Sequence, residues 1–243
     1  MIGLLFTVIG LFALLVSVYA DTFEHNCCTH CPLPVYMLVV YEGIFITTMA
    51  FHLEGTPTIA IFGDSHVRRL EEQVLGRLSI HPCVTKFIGF DGLTAGDDTP
   101  RAIGMREEAM KELLSCQADF VVVSVGGNDI CPEFGARQVF RRIWALVTRI
   151  KQTGAVVYVT GIIPRLDVSK GRGIQRTSYE KIRRAASTML KERLKGHYIP
   201  LPFHLQSDLG KDGVHLTVSG ALKFSAQIES ILCRDRPEWV LHY

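Results

Sequence analysis

The chain has 243 residues, of which 48% are hydrophobic and 21% are charged, and its formal net charge is +2. This apolar content excludes an intrinsically disordered chain, and the length suits one domain with a sizeable core. The near balance of charge gives no general attraction to nucleic acid, which we do not expect as a partner. Residues 165–195 are locally basic, which we interpret as a solvated helix face, with a polyanion site as the alternative.

The first twenty residues predict a targeting segment. Residues 2–20 are apolar and uncharged, and Ala20 ends a small-x-small pattern before Asp21. This pattern favours a cleaved signal peptide over residues 1–20, although no basic residue precedes the run; its length also suits a retained membrane tether through residues 2–19. Either reading sends the chain into the secretory pathway, as a secreted or membrane-anchored protein. A faulty gene start would instead leave an intracellular protein.

Residues 21–55 form a cysteine-containing apolar segment ahead of the main domain. Its apolar part, residues 34–51, carries Glu42 near its centre. A charge is costly in lipid, so we expect this part to pack on the core or at an interface and not to span a membrane.

Seven cysteines are present, and their pairing is open at the level of sequence. Three of them cluster with two histidines in an arrangement that suggests zinc: His25, Cys27, Cys28, His30 and Cys31. No second pair of ligands follows at a suitable spacing, so we predict no metal site.

From residue 56 onward the pattern alternates between strands and helices. Short apolar runs predict five strands, at residues 58–62, 84–90, 120–125, 155–163 and 198–201. Apolar residues at helical spacing predict five helices, at residues 67–78, 102–114, 139–150, 177–194 and 218–232. Thr177 or Ser178 is the expected cap of the fourth helix.

Near-continuous apolar strands separated by helices favour a parallel sheet that is covered on both faces. We therefore predict a three-layer α/β/α sandwich over residues 56–234, followed by a C-terminal tail at 235–243. In such sheets ligands bind outside the carboxyl ends of the strands, so the segments that follow the strands are the places to look for chemistry.

The first polar group is Gly63-Asp64-Ser65-His66, directly after the first strand. A serine at a strand-to-helix turn projects from the sheet edge, and its amide lies at a helix N-terminus, where negative charge is stabilised. The alternative is that Ser65 only caps the helix, because Asp and Ser are both favoured caps.

Two glycine-bearing loops follow other strands. After the third strand comes GGND at residues 126–129, in which the glycines let backbone approach a ligand and Asn128 offers an amide donor. A simple turn is the alternative. After the second strand, residues 89–94 offer a backbone N–H from Gly92, with Gly89 as the other candidate.

The fourth polar group precedes the last helix. Asp212 stands three residues before His215 in a turn. Its carboxylate can accept the Nδ1 proton of the histidine, which fixes the tautomer and leaves Nε2 free to take a proton. Two unrelated surface side chains are the alternative.

The four groups occur in an order that resembles the SGNH (GDSL-type) hydrolase superfamily, over about residues 56–233. The positions that carry this resemblance are Gly63, Asp64, Ser65, Gly92, Gly126, Asn128, Asp129, Asp212 and His215. The resemblance implies a flavodoxin-like α/β/α fold and a serine hydrolase that needs no cofactor.

The resemblance also implies roles for individual residues. Ser65 would be the nucleophile, His215 the base and then the acid, and Asp212 the residue that orients the histidine. The oxyanion hole would combine the amides of Ser65 and Gly92 with the side chain of Asn128.

The sequence departs from the family pattern at two positions. His66 replaces the leucine found in many members, as in a subgroup that includes esterase domains of some retrotransposons; we expect it to be structural or to line the cleft. Asp91 stands where a residue such as serine usually precedes the glycine. We also expect Asp64 and Arg165 to bind substrate, with a surface arginine as the alternative for Arg165.

The expected function is hydrolysis of a carboxylic ester. We expect acetyl or another short acyl group, because the segments between the motifs contain no long apolar insertion that could form a lid. The expected partner is a small-molecule, carbohydrate or lipid ester, and the protein is expected to be a monomer. The alternatives are an inactive binding domain that kept the fold, and an esterase domain derived from a mobile element.

Overall fold

In the computed structural model the chain divides into two compact units, Met1–Gly55 and Thr56–Tyr243. The structure describes residues 56–76, 78–96, 99–168 and 173–239, together with short strands between residues 35 and 51. The predicted signal or anchor and the cysteine–histidine cluster at residues 25–31 lie outside the described residues. In the described part of the chain, no helix has the length and apolar character needed to cross a bilayer.

The first unit contains two antiparallel strand pairs in its described part. Strands β1 (Val35–Met37) and β4 (Met49–Phe51) form one pair, and β2 (Val40–Tyr41) and β3 (Ile44–Phe45) form the other.

The second unit is built on a five-stranded sheet, and all five predicted strands are confirmed. They are β5 (Thr58–Gly63), β6 (Val84–Gly89), β7 (Phe120–Ser124), β8 (Val156–Thr160) and β9 (Tyr198–Ile199). Neighbouring strands are parallel and follow the order β6-β5-β7-β8-β9. Every residue of β7 is buried, as its unbroken apolar run predicts for a strand covered on both faces.

Helices separate the strands, and the five predicted helices are also confirmed. The helices are α1 (Ser65–Gln73), α2 (Pro100–Ser115), α3 (Ala136–Lys151), α4 (Arg176–Leu194), α5 (Leu205–Asp208) and α6 (Val218–Asp235). The single turn α5 was not predicted, because four residues are too few to show helical periodicity.

Two details of the helix prediction are wrong. The first helix ends at Gln73 and not at residue 78, because Leu75 and Gly76 take positive φ values of 54° and 72° and reverse the chain. The fourth helix has Gln175 as its N-cap, without a side-chain capping bond. Neither Thr177 nor Ser178 caps it, since both lie inside its first turn.

The sheet is the middle layer of the predicted three-layer sandwich. Alternate residues of β5 face opposite sides: Ala60 and Phe62 pack in a core with α2, α3 and α4, whereas Ile59 and Ile61 pack in a second core with α1 and α6. All four side chains are fully buried, and burying a large apolar side chain contributes about 1.5–3 kcal/mol.

Strand β5 lies at the point where the strand order reverses, since β6 follows on one side and β7 on the other. The carboxyl ends of β5 and β7 therefore border the crevice in which such sheets bind ligands. At this point Gly63 is required, because an added Cβ would collide with the carbonyl of Ser124 and the side chain of Val67.

Candidate active site

Ser65 is the first residue of α1, and it does not cap the helix. Asp64 is the N-cap, and its Oδ1 accepts a hydrogen bond of 3.0 Å from the amide of His66. The Ser65 hydroxyl is left to point out of the helix, where its Oγ lies 3.1 Å from Nε2 of His215. The amide of Ser65 is one of the first four of the helix, which have no intrahelical acceptor.

His215 and Asp212 lie together in the turn before α6. Nδ1 of His215 is 2.6 Å from Oδ2 of Asp212. The other oxygen, Oδ1, accepts the amides of Val214 and His215 at 3.0 Å each. These bonds fix the carboxylate against its own turn, and the short contact at Nδ1 favours the tautomer whose Nε2 lone pair faces Ser65.

The charge of Asp212 is stabilised in place. Partial burial acts to raise the pKa of this carboxyl, but the bond from the His215 ring and the two backbone amides hold its pKa well below the ordinary value. Asp212 is therefore ionised at neutral pH, as a partner of a protonated imidazole must be.

Asn128 follows β7 and joins three parts of the site. Its Nδ2 donates to the carbonyl of Leu93 at 3.1 Å and lies 3.5 Å from Oδ2 of Asp64. Its Oδ1 accepts a hydrogen bond of 2.9 Å from Nη2 of Arg165. The amide of Asn128 thus sits between the loop after β6, the end of β5 and the segment after β8.

Asp129 was noted in the sequence without a role, and the structure gives it one. It is buried, and its carboxylate accepts the amides of Ala95 and Gly96 at 3.0 and 3.1 Å. This holds the loop that contains Gly92 against the end of β7. Sequence carries no signal for these bonds, because the loop amides are more than thirty residues away.

Gly92 occupies a turn in that loop. Its φ of +80° lies in the left-handed region that glycine adopts without strain. The following residue, Leu93, donates its amide to Phe90 and its carbonyl accepts from Asn128. Gly89, the other candidate, ends β6 and faces the backbone of Arg68.

Asp64 has an interior position, and its contact with substrate stays a prediction. It is 3% exposed, and its two oxygens face the His66 amide and Asn128. Burial raises the pKa of Asp64 to about 6, although the bond from His66 and the charge of Arg165 act in the opposite direction. Its role is to hold the turn in which Ser65 lies.

His66 lies behind the pair formed by Ser65 and His215. It is 4% exposed, and its ring centroid is 5.4 Å from that of His215. Its Nδ1 is buried, with no hydrogen-bond partner among the described residues. Burial lowers the pKa of His66 to about 3, and the charges of Arg165 and His215 act in the same direction. His66 is therefore neutral in the folded protein.

Replacing His66 with leucine is expected to stabilise the protein on the acidic side of neutrality. The unfolded chain takes up a proton at this histidine near pH 6.5, whereas the folded protein does so near pH 3, so wild type loses stability as pH falls through this window. Relative to wild type, His66→Leu should gain about 2 kcal/mol in free energy of unfolding between pH 7 and pH 5. Urea unfolding at the two pH values measures this difference.

The matched control for this experiment is His204→Leu, since His204 is exposed. Its stability difference from wild type should be the same at both pH values. An equal pH response of His66→Leu and wild type would show that His66 is not held neutral by burial.

Arg165 follows β8 and is partly buried. Besides its bond to Asn128, its guanidinium lies 5.9 Å from the ring centroid of Tyr179. A contact with substrate stays a prediction. In the described part of the chain, no group of His, Cys, Asp and Glu side chains is arranged to hold a metal ion.

The fold is a three-layer α/β/α sandwich with a hydrogen-bonded serine, histidine and aspartate at the carboxyl edge of its parallel sheet. The model of the GDSL-like lipase/acylhydrolase family matches residues 61–222, and the chain belongs to this family. The resemblance seen in the sequence is thereby confirmed, and the protein is a hydrolase that acts on ester bonds.

Solved structures share the fold. The lipase/acylhydrolase from Enterococcus faecalis is 17% identical, with 74% of this chain and 97% of that chain covered at a TM-score of 0.56. A carbohydrate acetylesterase family member from Sinorhizobium meliloti is 14% identical (74% and 98% covered, TM-score 0.57). A GDSL-like lipase from Bacteroides thetaiotaomicron is 16% identical (73% and 88%, 0.54). No curated protein matches the sequence.

Proposed function

We propose that the protein is a serine esterase that transfers the acyl group of its substrate to Ser65 and then to water. The observation that carries the proposal is the continuous path of hydrogen bonds from the Ser65 hydroxyl to His215 at 3.1 Å and from His215 to Asp212 at 2.6 Å. A serine hydroxyl is a weak nucleophile until an adjacent base accepts its proton, and this path supplies the base and its orienting group.

In the first half of the reaction, Oγ of Ser65 attacks the ester carbonyl carbon while its proton passes to Nε2 of His215. The carbonyl π electrons move to oxygen and give a tetrahedral oxyanion. When these electrons return, the bond to the alcohol oxygen breaks, and His215 donates its proton to that oxygen. The ionised Asp212 stabilises the imidazolium between the two transfers.

In the second half, a water molecule takes the place of the alcohol. His215 accepts a proton from this water as its oxygen attacks the acyl carbon, and the bond to Ser65 then breaks. Oγ of Ser65 regains the proton from His215. The sum is one ester and one water converted to one carboxylic acid and one alcohol, with the enzyme restored.

Three donors are assigned to the oxyanion: the amides of Ser65 and Gly92 and one N–H of Asn128. The other N–H of Asn128 donates to Leu93 at 3.1 Å, whereas the contact with Asp64 at 3.5 Å is at the limit of a hydrogen bond. The N–H on the side of this weak contact is therefore the one we assign to the oxyanion, which would replace Asp64 as its acceptor. Loss of one such donor costs on the order of 10²–10³ in rate.

The proposed substrate is an ester of acetate or another short acid with a small-molecule, carbohydrate or lipid alcohol. The motif-bearing loops contain no long apolar insertion of the kind that would cover a long acyl chain. The name of the Sinorhizobium relative, a carbohydrate acetylesterase family member, supports an acetylated carbohydrate as the first substrate to examine.

Labelling with a fluorophosphonate probe tests the nucleophile. The probe should modify the wild-type protein covalently, and Ser65→Ala should remain unlabelled. Ser178→Ala is the matched control, because Ser178 is an exposed serine on α4, and it should label like wild type. Equal labelling of Ser65→Ala and wild type, or no labelling of wild type, would contradict the proposal.

A further inference from the structure

Arg165 reaches the site from behind Asn128. It follows β8, the strand next to β7, and its Nη2 donates to Oδ1 of Asn128 at 2.9 Å. Below the guanidinium lies the ring of Tyr179, a residue that is 1% exposed. Arg165 is thus held between the end of one strand and a buried aromatic ring of α4.

The charge of Arg165 has no carboxylate partner among the described residues within ion-pair distance. Its Nε is buried, and in the same part of the chain it has no hydrogen-bond partner. Partly burying an arginine without such partners costs stability. The charge of Arg165 lowers the pKa of Asp64, but among the described residues the hydrogen bond of its guanidinium is to Oδ1 of Asn128. The directed contact of this arginine is therefore with the Asn128 amide.

The effect of Arg165 on Asn128 follows from the different chemistry of the two ends of the Asn128 amide. A guanidinium can only donate hydrogen bonds, so it can bind Oδ1 of Asn128 but has no acceptor for the NH₂ group of that side chain. Because Arg165 fixes Oδ1 on its own side, Nδ2 must point to the opposite side, toward Leu93 and Asp64. A flipped amide would place its donors against the guanidinium and turn them away from the oxyanion.

Gly127 leaves the space that this arrangement needs. A Cβ at this position would lie 3.1 Å from Nη2 of Arg165 and 3.4 Å from the hydroxyl of Tyr179. The first distance is tighter than an ordinary contact. The sequence suggested that the glycines after β7 admit a ligand, but Gly127 faces the guanidinium.

We propose that Arg165 is a positioning residue for ester hydrolysis: it orients the Asn128 amide so that an Nδ2 N–H faces the developing oxyanion. The proposal rests on the oxyanion role that the proposed function gives to Asn128. This role requires no contact of Arg165 with the ester or the alcohol. It acts through Asn128, and its contribution exists only while that side chain is present.

A double-mutant cycle on turnover of p-nitrophenyl acetate tests the proposal. Asn128→Ala should lower kcat by about 10²–10³-fold. Arg165→Met should lower kcat about tenfold to a hundredfold and leave KM within about twofold of wild type, because a misplaced donor reduces stabilisation of the transition state but not binding of the substrate. In the Asn128→Ala background, Arg165→Met should have no further effect on kcat. Arg141→Met, at an exposed arginine of α3, is the control and should keep wild-type turnover.

The outcomes separate the inference from the proposed function. Unchanged kcat in Arg165→Met beside a low kcat in Asn128→Ala overturns the role of Arg165 alone. An independent loss for Arg165→Met in the Asn128→Ala background also overturns it, because Arg165 would then act without Asn128. Wild-type kcat in Asn128→Ala contradicts the oxyanion assignment itself.

Circular dichroism checks that each variant is folded. Should Arg165→Met fail to fold, Arg165→Lys takes its place in both backgrounds. Lysine keeps the positive charge but lacks the planar guanidinium, so Arg165→Lys should lower kcat less than a folded Arg165→Met variant would. That loss must likewise vanish when Asn128 is alanine, and a loss that persists there overturns the proposal.

Discussion

Ser65→Ala is expected to lower kcat for p-nitrophenyl acetate by about 10⁵–10⁶-fold while the protein stays folded. The loss should be this large because the acyl group then has no oxygen to which it can be transferred, and the remaining donors only polarise the ester. Folding should be retained, since Asp64 and not Ser65 caps α1. Initial rates over a range of enzyme concentrations measure the effect.

The matched control is again the exposed Ser178→Ala, which should turn over like wild type. Thermal unfolding of both variants should stay close to wild type. Turnover by Ser65→Ala above about one hundredth of the wild-type value would be incompatible with acyl transfer to this serine, because that much activity exceeds what positioning and donors alone retain.

Asp212→Asn is expected to lower kcat by about 10⁴-fold. The asparagine can keep its carbonyl oxygen toward the amides of Val214 and His215, which Oδ1 of Asp212 accepts at 3.0 Å. Its NH₂ group then faces Nδ1 of His215 and can only donate to it. The ring proton moves to Nε2, so the histidine can no longer accept the proton of Ser65.

Steady-state rates of Asp212→Asn measured from pH 6 to pH 9 test this reasoning. The deficit should persist throughout, because the pKa of Asp212 lies well below this range and the wild-type carboxylate stays ionised. Asp235→Asn is the control. This carboxylate lies at the end of α6, where it accepts hydrogen bonds from Tyr158 and Arg234 and contacts none of the described residues of the site, and turnover of the variant should match wild type. A loss of less than tenfold in Asp212→Asn would remove Asp212 from the reaction.

The layers of the fold were predictable because their signals are local. An unbroken apolar run such as Phe120–Ser124 indicates a strand that is buried on both faces. The helical spacing of Val139, Ile143 and Leu146 indicates a helix that is buried on one face. The ends of elements were less predictable. The true end of α1 depends on backbone conformations at Leu75 and Gly76 that apolar spacing does not encode.

The contacts of the site were likewise predictable where the partners are close in sequence and harder to predict where they are distant. Asp212 and His215 are three residues apart, so their pairing could be predicted from the turn that contains them. Ser65 and His215 are 150 positions apart. The rule that strand ends share one edge of a sheet marked the segments to search, and the resemblance to the SGNH hydrolases implied that these two residues act together. The contacts of Asp129 and Arg165 could not be predicted. Asp129 accepts two amides of a distant loop, and Arg165 donates to one oxygen of a distant side chain.

The loop that follows β6 is anchored at three of its main-chain groups. Asn128 donates a hydrogen bond to the carbonyl of Leu93, and the next residue, Asp129, accepts hydrogen bonds from the amides of Ala95 and Gly96. Every residue type supplies a carbonyl, and every type except proline supplies an amide, so these anchors place few demands on the loop's side chains. A substitution in this loop that keeps its backbone path therefore leaves these anchors in place, and with them the position of the Gly92 amide that we assign to the oxyanion.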